Sequence, residues 1–304
     1  MRARPSVLFL SYDGLTDPLG QSQILPYLLQ LASKVQLHIL SFEKTSPKSE
    51  ERKALEIQLR NAQIGWTPLR FTARPRLLAK VWDLGRMVAW GLALALTKRC
   101  KLVHCRSYVA AQVGVLIKIL TGARLLFDMR GFWVDERVDS GNWNQQQWIY
   151  RGLFQLYKKI ENVLFARADH IVSLTEAAVP TLQQWLQPKS TPITVIPCCA
   201  DFEHFSPRQE TRLAMREQMG FAPDHLVLCY LGSLGSWYQL PEMLSFFALL
   251  RRARPEARFL LLTRDWGPQQ EALVQKMNLF EFRSDLTILS ANRAQVADYL
   301  QVAD

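Results

Sequence analysis

Short apolar runs alternate with longer segments of helical period along most of the chain. An apolar run of about four to eight residues is typical of a buried strand, whereas apolar residues three and four apart are typical of a helix. We predict strands at residues 7–12, 35–42, 102–105, 124–129, 170–174, 193–197, 226–233, 258–263 and 286–290. We predict helices at residues 21–33, 48–62, 77–99, 108–121, 146–167, 175–187, 239–253 and 268–279, and a last one from residue 293.

Strands that alternate with helices are typical of parallel sheets covered by helices on both faces. The alternation pauses at residues 197–210, where proline, acidic and aromatic residues interrupt any period. We therefore predict an α/β protein with two doubly wound domains, residues 1–200 and residues 201–304. Ligands bind such folds at the carboxyl ends of the strands, and we expect those ends to border a shared cleft. Because the second domain has few predicted strands, we expect it to be incomplete.

Charge is distributed unevenly along the chain. Residues 1–200 contain 26 Lys and Arg against 14 Asp and Glu, or +12, and residues 201–304 contain 11 against 13, or −2. A basic first domain indicates an anionic partner, which would be a phosphorylated substrate, an anionic membrane surface or nucleic acid. Most aromatic residues follow helix or strand periods and so belong to cores, and we therefore expect no nucleic acid.

The cysteines and the apolar segments bear on localisation. The five cysteines include no CxxC spacing, so neither a disulfide framework nor a zinc site is indicated, and a cytoplasmic location fits best. The most apolar window, residues 87–96, is about half as long as a membrane span. The helix predicted at 77–99 is either a basic peripheral contact with the inner face of the plasma membrane or a core helix.

Glycine turns follow the first strand of each predicted domain. Gly14 and Gly20 flank a polar loop, and a helix starting at Gln21 would present free N–H groups that attract an anion. A turn without a ligand is the alternative. The spacing is not that of the dinucleotide fingerprint, so we expect no nicotinamide cofactor. In the second domain, Gly232 and Gly235 form a similar turn.

The third and fourth predicted strands end in charged residues. His104 and Arg106 are two positions apart and so share one face of a strand. Asp128 and Arg130 lie where the next strand ends. A guanidinium is rarely buried without an anionic partner, so Arg106 indicates a ligand or an ion pair. In the second domain, Arg264 follows a strand in the same way and predicts a second anion-binding rim.

A charged and aromatic segment follows Asp128, and we predict a loop there. Phe132 and Trp133 could stack on the C–H faces of a sugar, and Asp135 and Glu136 could bind its hydroxyls. A solvated charged loop is the alternative, but it accounts poorly for two adjacent aromatic residues.

Several stretches together resemble bacterial family 4 glycosyltransferases. They occur in that family's order: DGLTDPLGQSQILPYL, VHCRSY, FDMRGFWVDERVDSG, IVSLTEAA and YLGSLGSWYQLPEML. The resemblance implies a GT-B fold, with a Rossmann-like acceptor domain followed by a Rossmann-like nucleotide-sugar domain. It also implies transfer of a sugar from a nucleotide sugar to a saccharide or lipid-linked acceptor, in surface polysaccharide or cell-envelope glycan synthesis. Retention of configuration, and independence of metals and other cofactors, are implied as well.

The resemblance assigns roles to the residues at the strand ends. Asp128 lies where the family has a catalytic or acceptor-positioning residue, and we expect it to orient or deprotonate the acceptor hydroxyl while Arg130 tunes its charge. We expect donor contacts from Gly14, Gly20, Gln21, Gly232, Ser233, Gly235 and Arg264. We expect acceptor contacts from His104, Arg106, Phe132, Trp133, Asp135 and Glu136.

The chain departs from the family pattern in two places. Many members place an arginine and a lysine on the donor diphosphate where this chain has Ser233 and Tyr238, so we expect Arg264 to supply the missing charge. Members also continue with a Glu-x7-Glu segment that binds the donor, so we expect a fragment of a longer transferase. The alternatives are a degenerate, non-catalytic member and a GT-B-type nucleotide-sugar epimerase.

Overall fold

The chain folds into two compact units. The computed structural model describes residues 4–44, 46, 49–235 and 238–304. Unit 1 is Met1–Cys199 and unit 2 is Ala200–Asp304, a division one residue before the predicted boundary. Lys48, the first residue of a predicted helix, lies outside the described residues.

Unit 1 is built on a seven-stranded parallel sheet with the order β3-β2-β1-β4-β5-β6-β7. Its strands are β1 (Ser6–Ser11), β2 (Gln36–Glu43), β3 (Gly65–Arg70), β4 (Leu102–Arg106), β5 (Arg124–Asp128), β6 (His170–Ser173) and β7 (Ile193–Val195). The order reverses between β1 and β4, which is the switch point where doubly wound folds bind ligands. The predicted α/β class is confirmed.

Helices cover both faces of this sheet. They are α1 (Pro18–Gln23), α2 (Leu25–Leu31), α3 (Glu50–Asn61), α4 (Arg76–Thr97), α5 (Ser107–Thr121), α6 (Trp133–Asp139), α7 (Trp148–Arg167) and α8 (Val179–Leu186). Side chains alternate across β1, so Leu8 and Leu10 pack with α4 and α5, whereas Val7 and Phe9 pack with α2 and α3. Because both faces of the strand are buried, its sequence is a continuous apolar run.

The edge strand β3 was not predicted. Its sequence, GWTPLR, has neither an apolar run nor a clean alternation, and Pro68 removes one backbone donor. It forms because residues 65–70 pair with β2 in parallel register. The indole N–H of Trp66 also donates to Ser41 Oγ at 2.8 Å.

Two predictions in unit 1 were wrong in local detail. The single helix predicted at 21–33 is two short helices, α1 and α2, which break at Ile24 with its φ of −120°. The loop predicted after Asp128 contains helix α6, which begins at Trp133 with Asp135 and Glu136 in its first turn. Carboxylates there are favoured by the helix dipole, so part of the charge has a structural reason.

Unit 2 contains a three-stranded parallel sheet with the order β10-β9-β8. Its elements are α9 (Gln209–Gln218), β8 (Leu226–Leu231), α10 (Leu240–Ala253), β9 (Ala257–Leu262), α11 (Pro268–Lys276), β10 (Leu286–Leu289) and α12 (Arg293–Leu300). Helix α9 was not predicted, because the segment before β8 is mostly polar. Arg216 in α9 is buried and donates to the carbonyl of Val302 at 2.9 Å, which ties this helix to the residues after α12.

Among the described residues, no helix is both long enough and apolar enough to span a bilayer. Helix α4, which contains the most apolar window, is buried along one side only. Ala79, Asp83, Met87 and Ala95 face the core of unit 1, spaced four or eight residues apart, while Trp82 and other residues of the helix remain exposed.

Candidate functional site

Charged residues from β4 and β5 meet at the carboxyl edge of the sheet in unit 1. Arg106 is the last residue of β4 and Asp128 the last of β5, and the two are register partners in the parallel ladder. Both are buried. The sheet register therefore places an arginine and an aspartate side by side, whereas the sequence had predicted only that each lies at the end of an apolar run.

Three nitrogen-bearing side chains surround the carboxylate of Asp128. His104 Nε2 and Arg106 Nη1 each lie 3.8 Å from Asp128 Oδ2, and Arg130 Nη1 lies 3.9 Å from Asp128 Oδ1. These distances are too long for hydrogen bonds but short enough for strong electrostatic attraction. The cluster, which we call the Asp128 cluster, consists of His104, Arg106, Asp128 and Arg130.

Several buried polar atoms of the Asp128 cluster have no hydrogen-bond partner among the described residues. They are His104 Nε2, Arg106 Nε and Asp128 Oδ1. Buried polar groups in folded proteins are nearly always hydrogen-bonded, because an unpaired one costs about 1–3 kcal/mol. A ligand that carries both hydroxyl groups and anionic oxygens would supply hydrogen-bond partners for these two nitrogens and this carboxylate oxygen.

Burial also changes the acidity of Arg106. Desolvation lowers the pKa of its guanidinium, and the charge of Arg130 lowers that pKa further, while Asp128 and Asp13 raise it. The Nε atom of Arg106 lies 4.0 Å from Asp13 Oδ2. A bound anion would offset both the desolvation and the repulsion between the two arginines.

Backbone strain occurs at both strand ends. Ser107, directly after Arg106, has a φ of 67°, and Arg130 has a φ of 63°. Residues other than glycine rarely adopt this left-handed region, and strained residues of this kind gather at functional sites. One strained residue is therefore a member of the cluster and the other directly follows Arg106.

Two residues that the sequence analysis missed hold Arg130. Its Nη2 atom donates to Gln23 Oε1 at 2.6 Å, and it lies 3.5 Å from Cys198 Sγ. Gln23 is 107 positions away from Arg130 and Cys198 is 68 positions away. Gln23 lies within the stretch DGLTDPLGQSQILPYL, but nothing in the sequence pairs it or Cys198 with Arg130, so only the fold associates them with the cluster.

The glycine loop of unit 1 is organised by a buried carboxylate. Glu43, at the end of β2, is fully buried and accepts hydrogen bonds from the N–H groups of Leu15 and Thr16 at 2.8 and 3.0 Å. The side-chain amide of Gln21 donates to the carbonyl of Leu15 at 2.7 Å. These loop N–H groups therefore have an internal acceptor, and donor contacts from Gly14, Gly20 and Gln21 stay a prediction.

Replacing Glu43 by Gln should destabilise unit 1 by about 2–3 kcal/mol, because the amide loses the charge and turns a donor towards the Leu15 and Thr16 N–H groups. Denaturant unfolding would measure the change. The matched control is Glu51→Gln on the exposed surface of α3, for which we expect a change within about 0.5 kcal/mol. Equal stability of the two variants would contradict this role for Glu43.

The predicted sugar-stacking residues have aromatic partners within unit 1. Phe132 packs edge-on against Trp185 with ring centroids 5.3 Å apart. Trp133 stacks on Tyr108 at 5.8 Å and meets Trp143 edge-on at 5.7 Å. Both rings are half-buried. Their packing gives the adjacent aromatics a structural role, and stacking on a sugar stays a prediction for the surface left exposed.

The predicted hydroxyl-binding carboxylates differ in their surroundings. Asp135 forms an ion pair with Lys158 at 3.1 Å, and Lys158 also pairs with the buried Glu161. Glu161 in turn accepts a hydrogen bond from the hydroxyl of Tyr108 at 2.8 Å. Burial raises the pKa of Glu136. Acceptor binding by Asp135 and Glu136 stays a prediction.

In unit 2, an aspartate orders the glycine loop after β8. Asp265 accepts a hydrogen bond from the N–H of Leu234 at 3.0 Å. That bond, together with one from the hydroxyl of Ser233, lowers the pKa of Asp265. Gly232 precedes this loop, and Gly235 borders a cavity of about 460 Å³ that residues of α10 and α11 also line. Arg264 is exposed beside Asp265.

Comparison with known protein families identifies the chain. A profile of the glycosyl transferase 4-like domain family matches residues 28–199, which is more than half of the chain. The chain belongs to this family. The match begins within α2, extends to the last residue of unit 1 and includes all four residues of the Asp128 cluster.

A curated relative of this glycosyl transferase 4-like protein is the D-inositol 3-phosphate glycosyltransferase of Segniliparus rotundus. The two are 25% identical over 209 residues, which are 68% of this chain and 45% of the relative. The chain therefore matches less than half of the relative's length.

Solved structures share the fold of this family member. Anabaena Alr3699/HepE, solved in complex with UDP and glucose, superposes with a TM-score of 0.68 at 15% identity, covering 99% of this chain and 73% of that one. Sucrose-phosphate synthase from Thermosynechococcus elongatus superposes with a TM-score of 0.71 at 16% identity, covering 99% of this chain and 74% of that one. At these identities the likeness shows the fold alone. The predicted GT-B type, with two Rossmann-like units, is confirmed.

Among the residues that the structure describes, no group of three or more His, Cys, Asp or Glu side chains could hold a metal ion. Independence of metals stays a prediction for this glycosyl transferase 4-like chain. The five cysteines are free.

Proposed function

We propose that this protein transfers a sugar from a nucleotide-sugar donor, bound by unit 2, to a saccharide or lipid-linked acceptor, bound by unit 1. The observation that carries the proposal is the Asp128 cluster, in which buried donors and an acceptor without protein partners converge at a strand edge. Membership of the glycosyl transferase 4-like family supports sugar transfer as the reaction.

Asp128 is the proposed base of the reaction. The acceptor oxygen forms a bond to the anomeric carbon on the face from which the diphosphate departs, the bond from that carbon to the diphosphate oxygen breaks, and the diphosphate leaves with the electron pair. Asp128 takes the proton from the acceptor hydroxyl. The guanidinium groups of Arg106 and Arg130 lie 3.8 and 3.9 Å from this carboxylate, so electrostatic attraction holds it at the strand edge where the acceptor hydroxyl would bind.

Arg106 and His104 are the proposed partners of acceptor oxygens. Each has a buried nitrogen without a protein acceptor in the described part of the chain. A guanidinium binds anionic oxygens especially well, so a phosphate on the acceptor would suit Arg106. Phe132, Trp133, Asp135 and Glu136 are proposed as further acceptor contacts through the surfaces that they leave exposed.

The donor diphosphate is the proposed ligand of the loop from Gly232 to Gly235 and of Arg264. Arg264 is exposed and has no ion pair within the described ranges, so its charge is available to a ligand. Support for a uridine nucleotide comes from the HepE structure, whose ligands are UDP and glucose. Gly14, Gly20 and Gln21 are proposed as further donor contacts.

The finer features of the proposal rest on the family resemblance. They are retention of configuration and a place in surface polysaccharide or cell-envelope glycan synthesis. The nucleotide-sugar epimerase stays a weaker alternative, because the family match is to a glycosyl transferase domain. A nucleotide-sugar product formed without any acceptor would favour the epimerase.

Thermal-shift titration of the full-length protein with nucleotide sugars, beginning with UDP-glucose, tests the donor assignment. Replacing Arg264 by Ala should raise the dissociation constant of the donor about tenfold, since a charge-assisted hydrogen bond to the diphosphate is lost. The control is Arg252→Ala in α10, an exposed arginine that pairs with Glu281. If the two variants bind the donor equally well, Arg264 is not part of the donor site. If no nucleotide sugar raises the melting temperature, the proposed sugar transfer is contradicted.

A further inference from the structure

Exposed apolar side chains are concentrated on three neighbouring helices of unit 1, α4, α5 and α7. In the described part of unit 1, twelve of the sixteen large hydrophobic residues that remain exposed belong to these helices. They are Leu78, Val81, Trp82, Trp90, Leu96, Leu116, Ile119, Leu120, Trp148, Ile149, Leu156 and Val163. Helix α3, on the opposite face of the sheet, exposes one residue of this kind, Ile57.

A groove runs between the three helices. It has a volume of about 340 Å³ and is lined by apolar residues, among them Leu84, Leu116, Ile160 and Val163. Lys159 is the one charged residue among those that line it. An apolar groove with an ammonium group beside it suits a molecule that has hydrocarbon chains and an anionic head.

The charge exposed on these helices is of one sign. Their acidic residues are Asp83 and Glu161, and both are fully buried. Their exposed basic residues are Lys80, Arg151, Lys159 and Arg167. The described side chains of the three helices therefore expose cations and no carboxylate.

We propose that α4, α5 and α7 form a docking surface for an anionic phospholipid membrane. Such a membrane supplies both the apolar region that the exposed side chains need and the negative charge that the cations need. Trp82, Trp90 and Trp148 are exposed by 62, 50 and 76%, and tryptophan is enriched where membranes meet water. A second copy of the chain fits poorly, because a symmetric contact would bring two basic surfaces together.

Sedimentation with vesicles tests this proposal without any donor or acceptor. The chain should bind vesicles of phosphatidylcholine mixed with phosphatidylglycerol at low salt, and binding should weaken at high salt and on phosphatidylcholine alone. Changing Arg151→Glu together with Lys159→Glu should weaken binding about tenfold or more. The matched control on α3, Lys53→Glu with Arg60→Glu, should bind like the unchanged protein.

A second pair of variants tests the apolar contribution. Ile119→Ser with Leu120→Ser should also weaken binding about tenfold, whereas Ile57→Ser on α3 should leave it unchanged. All these residues are exposed, so circular dichroism should show an intact fold. The proposal is overturned if the unchanged chain does not bind anionic vesicles at low salt. It is equally overturned if the α3 variants reduce vesicle binding as much as the variants in α5 and α7 do. It is also overturned if Ile119→Ser with Leu120→Ser abolishes self-association and leaves vesicle binding intact.

Discussion

Changing Asp128 to Asn is expected to lower the rate of sugar transfer by the full-length protein about 10²- to 10⁴-fold. The amide has nearly the same shape as the carboxylate but cannot accept a proton from the acceptor hydroxyl. It also removes the negative charge that lies 3.8 to 3.9 Å from His104, Arg106 and Arg130. The measurement is the initial rate of transfer with saturating donor.

The donor should still bind this variant, because the proposed donor contacts in unit 2 are unchanged. Thermal shift with the nucleotide sugar therefore separates a catalytic loss from a loss of donor binding or of folding. Asp139→Asn, at the exposed end of α6, is the matched control and should keep the normal rate. A rate within about threefold of the unchanged protein for Asp128→Asn would exclude Asp128 as the base, since a general base contributes far more than that.

Changing Gly20 to Ala is expected to lower the free energy of unfolding of unit 1 by about 3 kcal/mol or more. A Cβ atom at Gly20 would lie 2.1 Å from the carbonyl oxygen of Gly14 and 2.7 Å from the Cα of Leu15. Both atoms belong to the backbone and cannot rotate away. The whole glycine loop would have to move, although Glu43 holds it by hydrogen bonds.

The matched control is another glycine within a helix. Gly85 lies in α4, and a Cβ atom there would meet nothing within 4 Å. Gly85→Ala should therefore stabilise the protein by about 0.5–1 kcal/mol, the helix-propensity gain of alanine over glycine. Urea unfolding monitored by circular dichroism measures both variants. A Gly20→Ala protein as stable as the unchanged chain would show that the close approach of the loop does not occur.

Gly14 and Gly20 show what the sequence could and could not predict about the loop after β1. Gly14 and Gly20 were predicted to flank a polar turn before a helix that starts at Gln21; the structure contains the turn, but α1 already begins at Pro18 and Gly20 lies within it. The sequence could not show that Glu43, which lies on β2, occupies the N–H groups of Leu15 and Thr16. Helices α1 and α2 and the rest of β2 separate that carboxylate from the loop in the sequence, and its contact depends on the parallel pairing of β1 with β2.

The segment after Asp128 shows a different limit. The sequence predicted the positions of Asp128 and Arg130 because the apolar run of β5 ends there. It did not predict helix α6, since the charged residues obscure any apolar period over so short a helix. The aromatic partners of Trp133 come from α5, from the segment before α7 and from α7 itself, so its packing follows from tertiary contacts.

By itself, the sequence determined the α/β class, the position of the division near residue 200 and the residue types at the ends of β4 and β5. Continuous apolar runs and helical periods are local signals, and buried parallel strands produce them directly. The tertiary structure decided what surrounds Asp128, because Gln23 and Cys198 reach Arg130 from distant parts of the chain. The tertiary structure also decided that residues 65–70 form the edge strand β3, and that α4, α5 and α7 together expose a basic and apolar surface. Contacts between residues far apart in sequence depend on strand order and helix packing, which leave no periodic trace in the sequence.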